Sequence, residues 1–201
     1  MAAFSSRGPN TITPHILKPD INAPGVSVVA AYSQEVSPSG LASDGRRVAY
    51  MVESGTSMSC PHVAGIAGLL RNKYPDWNPN MVYSAIMTTA SRGGNDYNAI
   101  RDETGRAATP FSYGLGHVNP ARALDPGSGL LPVSLLLPLE ELWTVLTCVF
   151  HGTDSNPFQC SKGTNRLEDL NYPSISVPCL PSSGTFTVKR RVRNVGGGAA
   201  S

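Results

Sequence analysis

The residues Gly55-Thr56-Ser57-Met58-Ser59-Cys60-Pro61-His62 place a serine where a strand-like run meets a helix-like run. Residues 48–52 before it are apolar and partly β-branched, which is typical of a strand. Residues 58–74 carry apolar side chains at helical spacing, which predicts a helix. The first amide groups of a helix lack intrahelical partners and favour negative charge, so an oxyanion forming at Ser57 would meet hydrogen-bond donors. The position therefore suits a nucleophilic serine.

Simpler roles for these residues are also open. Ser57 could only cap the helix, since serine is a preferred N-cap residue. Thr56 could support the oxyanion site by hydrogen bonding, or its side chain could simply suit an extended backbone. Pro61 fits the first turn of a helix. Gly65 and Gly68 lower helix propensity but let a neighbouring backbone approach closely, so we expect this helix to be buried centrally.

The four histidines are the candidates for a general base. His62 is five residues beyond Ser57 on the predicted helix, so its side chain points away from the serine hydroxyl. His15 and His117 are expected to have packing or surface roles, and no role is predicted for His151. Ser57 therefore has no recognisable base within this sequence.

The motif around Ser57 resembles the nucleophile motif of subtilisin-like serine proteases, and further blocks follow in the order of that family. A Gly-x-Ser-x-Gly elbow of the α/β-hydrolase type is absent, because Ser59 stands where its second glycine would be. Cys60 after Ser59, and the block at residues 169–174, are most similar to the plant branch of the family. The other matching blocks are residues 4–10, 18–21, 23–26, 63–65 and 113–120.

The resemblance implies a serine endopeptidase that hydrolyses protein or peptide substrates through an acyl-enzyme on Ser57, without cofactor or metal. In this family the triad runs in the order Asp, His, Ser. No stretch here resembles the family's Asp and His blocks or its Asn-bearing oxyanion segment, so we expect the chain alone to be inactive. The alternative is a non-catalytic truncated remnant that acts, if at all, through binding.

The resemblance also implies an α/β fold, a partial subtilisin-like parallel-sheet sandwich. Strand-like runs at residues 26–32 and 48–52 bracket a stretch at 33–47 whose turn chemistry predicts a surface loop. A second helix is predicted from the Asn78-Pro79 cap to about Ala90, with Trp77 before it as a packing anchor.

Three parts are predicted along the chain. Residues 1–127 resemble the C-terminal part of the peptidase domain, residues 128–165 form an anomalous leucine-rich linker, and residues 166–201 resemble a truncated fibronectin-III-like domain. That last part would be an incomplete β-sandwich, with alternating strands at 174–177 and 185–195.

The family pattern is interrupted between residues 125 and 157. We hypothesise a shifted reading frame or retained intron there, and a misplaced start at Met1. The leucine-rich run ends at Phe150, and prolines and Glu140-Glu141 break it, so no membrane span is predicted.

Composition and cysteine spacing limit the classes of function that remain open. The 201 residues carry a formal net charge of +2 with interleaved charges, which does not indicate nucleic-acid binding. The spacing of Cys60, Cys148, Cys160 and Cys179 fits no zinc motif, and Cys60 is expected to behave as a small apolar residue. The N-terminus lacks the features of a signal peptide. Extracellular location is implied by the family resemblance, and the oligomeric state is left open.

Overall fold

The structure is a computed structural model that describes residues 1–94, 98–126, 130–132, 172–178, 180, 182–190 and 192–194. It combines helices with two small sheets, in keeping with the α/β class. The elements in chain order are β1 (Val28–Ala31), β2 (Tyr50–Glu53), α1 (Thr56–Lys73), α2 (Pro79–Thr88), α3 (Pro110–Tyr113), α4 (Pro120–Leu124), β3 (Leu130–Pro132) and β4 (Val192–Asn194).

Both predicted helices are confirmed, with ends shifted by about two residues. The start of α2 is set as the sequence predicts: the amide of Met81 donates to Oδ1 of Asn78 at 3.0 Å, and Pro79 is the first helical residue. The same device starts α4, where the amide of Arg122 donates to Oδ1 of Asn119 at 3.1 Å. An Asn-Pro pair supplies a side-chain acceptor and a residue that has no amide to satisfy.

The core lies between α1, α2 and α4. Trp77 is buried at the start of α2 and stacks on Tyr74, with ring centroids 4.1 Å apart and planes 9° from parallel, which confirms its predicted packing role. The buried cluster consists of Ile66, Leu70, Trp77, Met81, Val82, Ala85, Ile86, Val118 and Ala123.

The prediction that α1 is buried centrally is wrong within the described residues. Only Ile66 and Leu70 of this helix are buried, and Leu69 is 54% exposed. A Cβ atom built on Gly65 or Gly68 would meet nothing within 4 Å. The described elements therefore pack against one face of α1 only, and the face that carries the glycines is open.

Strand β1 falls within its predicted run and β2 overlaps its run but extends one residue further, to Glu53, and the two strands pair antiparallel rather than parallel. Val28 lies opposite Glu53 and Ala31 opposite Tyr50. The connection at residues 33–47 is a loop, as predicted, with no crossover helix. Parallel neighbours need a crossover, whereas a loop that turns back brings two strands together antiparallel.

The strands predicted for the last part of the chain are found only in part. Strand β4 lies within the predicted run and pairs antiparallel with β3, with Leu130 opposite Asn194. Residues 174–177 and 185–190 are not in strands. An extended run becomes a strand only beside a partner that accepts its hydrogen bonds, and alternation in the sequence cannot supply one.

Most of the leucine-rich run, together with His151, Cys148, Cys160 and Cys179, lies outside the described residues. Within the described ranges, no helix has the length and apolar character that a membrane crossing requires.

The adjacent residues Leu69 and Leu70 provide a matched test of which face of α1 is packed. We expect Leu70→Ala to lower the free energy of unfolding by about 2–5 kcal/mol, because it leaves a cavity in the core. Leu69→Ala should change it by no more than about 0.5 kcal/mol. Urea unfolding followed by circular dichroism measures both. Equal losses would contradict the one-sided packing of α1.

Candidate active site

The turn between β2 and α1 is held by residues 25–27. The amide of Gly55 donates to the carbonyl of Gly25 at 2.8 Å. The amide of Ser27 donates to Oγ of Ser54 at 2.8 Å. Two hydrogen bonds between distant parts of the chain therefore fix the backbone immediately before the helix.

A third hydrogen bond reaches into the first turn of α1. Oγ of Ser59 donates to the carbonyl of Ala23 at 2.9 Å. Gly25 lies so close to this turn that a Cβ atom on it would collide with Oγ of Ser59 and lie 2.7 Å from the carbonyl oxygen of Gly55. The absence of a side chain at position 25 is therefore what allows the two segments to approach.

Ser57 is the second residue of α1, and both it and Thr56, the first, are exposed. The N-cap residue is Gly55, in an extended conformation, with no side chain capping the helix. The capping role considered for Ser57 is therefore wrong, because the helix begins before it. The extended backbone considered for Thr56 is wrong for the same reason.

The start of α1 offers free hydrogen-bond donors. An α-helix gives its first amides no intrahelical acceptor, and no side chain among the described residues accepts from the amides of Thr56 and Ser57. The amide of Met58 turns back to the carbonyl of Gly55 at 3.1 Å. The helix is 18 residues long, so the positive end of its dipole also lies at this turn. These groups can stabilise an oxyanion formed at Ser57.

Two of the described histidines, His62 and His117, make contacts away from Ser57. Nδ1 of His62 is 2.7 Å from the carbonyl of Met58 on its own helix, in agreement with the prediction that it does not reach the serine. Nδ1 of His117 contacts Oδ1 of Asn22. In the part of the chain that the structure describes, the Ser57 hydroxyl makes no hydrogen bond, so no general base is assembled there.

His117 joins three segments of the chain, which favours the packing role among the packing or surface roles predicted for it. It forms a parallel bridge with Asn22 and an antiparallel bridge with Ser91. The amide of Asn22 donates to the carbonyl of Gly116, and that of Val118 to the carbonyl of Asn22, each at 2.9 Å. These contacts fix the segment that leads to Ala23 and Gly25.

A cavity of about 1110 Å³ lies beside the start of α1. Thr56, Ser59, Cys60 and Val63 line it from the helix, and residues 1–6 line it from the other side. Ser57 is not among the lining residues, so the cavity adjoins the first turn of α1 without enclosing this serine. Cys60 is free and exposed, so the prediction that it behaves as a small apolar residue on a buried helix is wrong in its burial.

Ser59 and the wall at residues 1–6 were not singled out by sequence reasoning. The available signal for Ser59 was its place within the motif, two residues after Ser57. Among the residues described, no three His, Cys, Asp or Glu side chains come together as metal ligands.

The contrast between Gly25 and Gly65 tests the close approach under α1. We expect Gly25→Ala to lower the free energy of unfolding by about 1–3 kcal/mol, because its Cβ would displace Ser59 and Gly55. Gly65→Ala meets open space and should stabilise the chain by about 0.5–1 kcal/mol through helix propensity. Urea midpoints give both values. A neutral Gly25→Ala would show that the segments do not approach closely in solution.

Burial lowers the pKa of His117 below its usual value. The unfolded chain then binds the proton at higher pH than the folded chain, so the free energy of unfolding falls as pH drops below about 6.5. We expect His117→Gln to reduce this loss between pH ~7 and ~5. Urea midpoints across that range measure it, with His62→Gln as the exposed control. An unchanged pH dependence in His117→Gln would refute the assignment.

Comparison with known proteins agrees with these motifs. The sequence model of the subtilase family (Peptidase_S8) matches residues 1–116. Two similar relatives are the subtilisin-like proteases SBT5.4 and SBT5.3 of Arabidopsis thaliana, 48% identical over 198 residues and 49% over 200; each alignment covers 98% of this chain and 25% of the relative. The chain thus spans about a quarter of their length.

Among solved structures, fervidolysin from Fervidobacterium pennivorans, described as a keratinolytic enzyme related to subtilisin, aligns with a TM-score of 0.39 and 25% identity. The alignment covers 57% of this chain and 16% of that one. The family match over residues 1–116 and the extent of the plant similarity show that this chain belongs to the subtilase family.

Proposed function

We propose that this chain carries the nucleophile-bearing part of a subtilisin-like serine endopeptidase, with Ser57 as the nucleophile. The observation that carries the proposal is an exposed serine in the uncapped first turn of α1, within the region that matches the subtilase family. Substrates are proteins or peptides, in keeping with the family. The whole protein is proposed to act outside the cell, as the resemblance to plant subtilases implies.

The chemistry at this turn is acyl transfer. Oγ of Ser57 attacks the peptide carbonyl as a base takes its proton, and the carbonyl oxygen becomes an oxyanion near the first-turn amides. Collapse breaks the C–N bond, the base returns the proton to the leaving amine, and water then hydrolyses the acyl ester. A hydroxyl on Thr56 adds a further donor beside this turn, and losing one such donor typically costs about 100- to 1000-fold in rate.

The base and its orienting carboxylate are proposed to come from the family's His and Asp blocks, which have no counterpart in residues 1–201. A serine hydroxyl is a weak nucleophile at its ordinary pKa. Because no base contacts Ser57 in the described residues, we propose that the 201-residue chain alone does not hydrolyse peptides.

A second candidate function is binding without catalysis. The open face of α1 and the exposed pair Val29 and Val52, opposite each other on β1 and β2, leave apolar surface accessible. Exposed apolar surface of this kind is typical of contact sites. Reaction with an active-site probe separates this candidate from the protease.

A fluorophosphonate probe tests the nucleophile in two settings. The chain alone should show no labelling, because its serine lacks a base. In a chimera in which residues 1–201 replace the aligned quarter of SBT5.4, Ser57 should react, and Ser57→Ala should reduce labelling and peptide hydrolysis by at least about 1000-fold.

Ser59→Ala is the matched control, because it removes a neighbouring hydroxyl that positions the turn and is not the proposed nucleophile. It should lower labelling of the chimera far less than Ser57→Ala does. Labelling of a folded chimera that persists in Ser57→Ala would contradict the assignment of the nucleophile. Labelling of the isolated chain that depends on Ser57 would contradict its proposed inactivity.

A further inference from the structure

Tyr172 lies beyond the region that matches the family model, yet its hydroxyl contacts residues inside it. Nζ of Lys18 is 2.8 Å from this hydroxyl, which in turn donates to Oδ1 of Asp20. Nζ of Lys18 also donates to both Asp20 oxygens, at 2.9 and 2.8 Å. The hydroxyl of Tyr83, on α2, completes the group through the Tyr172 hydroxyl. We call Lys18, Asp20, Tyr83 and Tyr172 the Tyr172 cluster.

The two aromatic rings lie beside the ion pair of this cluster, whose side chains are 43% (Lys18) and 26% (Asp20) exposed. The rings of Tyr83 and Tyr172 meet edge to face, with centroids 5.7 Å apart and planes at 61°, and Nζ of Lys18 lies 5.3 Å from the centre of the Tyr172 ring. Burial raises the pKa of both phenols, so they are protonated donors at neutral pH. Hydrogen bonds to charged groups in a partly buried setting are the stronger kind.

The residues that follow Tyr172, and its own carbonyl, make further hydrogen bonds. Oγ of Ser176 donates to the carbonyl of Pro14 at 2.7 Å. The guanidinium of Arg190 donates to the carbonyls of Tyr172 and Ser174, at 2.9 and 3.1 Å. Residues 172–176 are therefore seated against the region at residues 14–20 by several hydrogen bonds, with Tyr172 at the charged centre.

Backbone contacts connect Asp20 to the first turn of α1, which carries Ser57. The carbonyl of Asp20 accepts from the amide of Leu115 at 2.9 Å. Three residues later the carbonyl of Ala23 accepts from Oγ of Ser59, two residues beyond Ser57. The segment 20–23 thus touches the Tyr172 cluster at one end and the first turn of α1 at the other.

We propose that Tyr172 is a positioning residue: its hydroxyl fixes Asp20, and thereby keeps segment 20–23 seated under the first turn of α1. The expected effect on catalysis rests on the proposed role of Ser57. The structural connection from Tyr172 through Asp20 to segment 20–23 does not. Tyr172→Phe is the sharpest variant, because it keeps the ring packing against Tyr83 and removes only the hydroxyl.

Amide hydrogen exchange on the complete 201-residue chain tests the link. In Tyr172→Phe, the amides of Leu115 and Asn22 should exchange about tenfold faster, because a hydrogen bond to charged partners is lost. The amide of Tyr74, which donates to the carbonyl of Leu70 at 2.8 Å at the far end of α1, should exchange as before. Unchanged exchange at Leu115 and Asn22 would overturn the proposal, as would equal acceleration at Tyr74, which indicates general destabilisation.

Two tyrosine variants serve as controls. Tyr32→Phe removes a hydroxyl that donates to the carbonyl of Ser37 at 3.3 Å in the loop at 33–47, so exchange at Leu115 and Asn22 should not change. Tyr83→Phe leaves the contacts of Tyr172 with Lys18 and Asp20 intact, so its effect should be smaller than that of Tyr172→Phe. An equal or larger effect in Tyr83→Phe would overturn the assignment to Tyr172.

Exchange is measured without any reaction at Ser57, which keeps the two proposals separable. If labelling of the SBT5.4 chimera persists in Ser57→Ala, the proposed function fails, and exchange at Leu115 and Asn22 still decides the role of Tyr172. In a reactive chimera, Tyr172→Phe should lower kcat with KM unchanged. A change confined to KM would overturn its positioning role.

Discussion

The close contact between residues 23–25 and the first turn of α1 determines the geometry of the candidate site. Because Gly25 has no side chain, its carbonyl can accept a hydrogen bond from the amide of Gly55, and the carbonyl of Ala23 can accept one from Oγ of Ser59. These bonds anchor the helix start from outside, in place of a side-chain cap. Within the described part of the chain, the first-turn amides of Thr56 and Ser57 consequently have no acceptor and can stabilise an anion.

The same helix shows how stability and function are divided between its faces. Ile66 and Leu70 join the core with α2 and α4, which supplies apolar burial for the described fold. The opposite face, with Gly65 and Gly68, is open. Ser57 lies at the start of a helix that is packed on one side, with first-turn amides beside it and, among the described residues, no base in contact with it. The turn that carries the proposed nucleophile can therefore form from local and short-range contacts alone.

How far the sequence predicts this structure depends on the range of the interactions involved. The start of α2 could be predicted from local signals, because Asn78 and Pro79 act within the first turn of that helix. The direction of β1 against β2 and the burial of α1 depend on which segments lie beside them, and a pattern within one segment does not contain that information. Ser59 was missed for the same reason, since its acceptor is 36 residues away in the sequence.

Tyr172 shows the same limit of sequence-based prediction at longer range, because residues far away in the sequence hold the segment around it. Alternating residues predicted strands at 174–177, but polar contacts to Pro14, Lys18 and Asp20 hold this region instead. Those contacts span more than 150 residues of sequence. Asp20 lies three residues before the acceptor of Ser59, so the proposed influence of Tyr172 would reach the first turn of α1 from outside residues 1–116, which the family model matches. The polar contacts of Tyr172 therefore cross the end of that matched region and join the two parts of the chain.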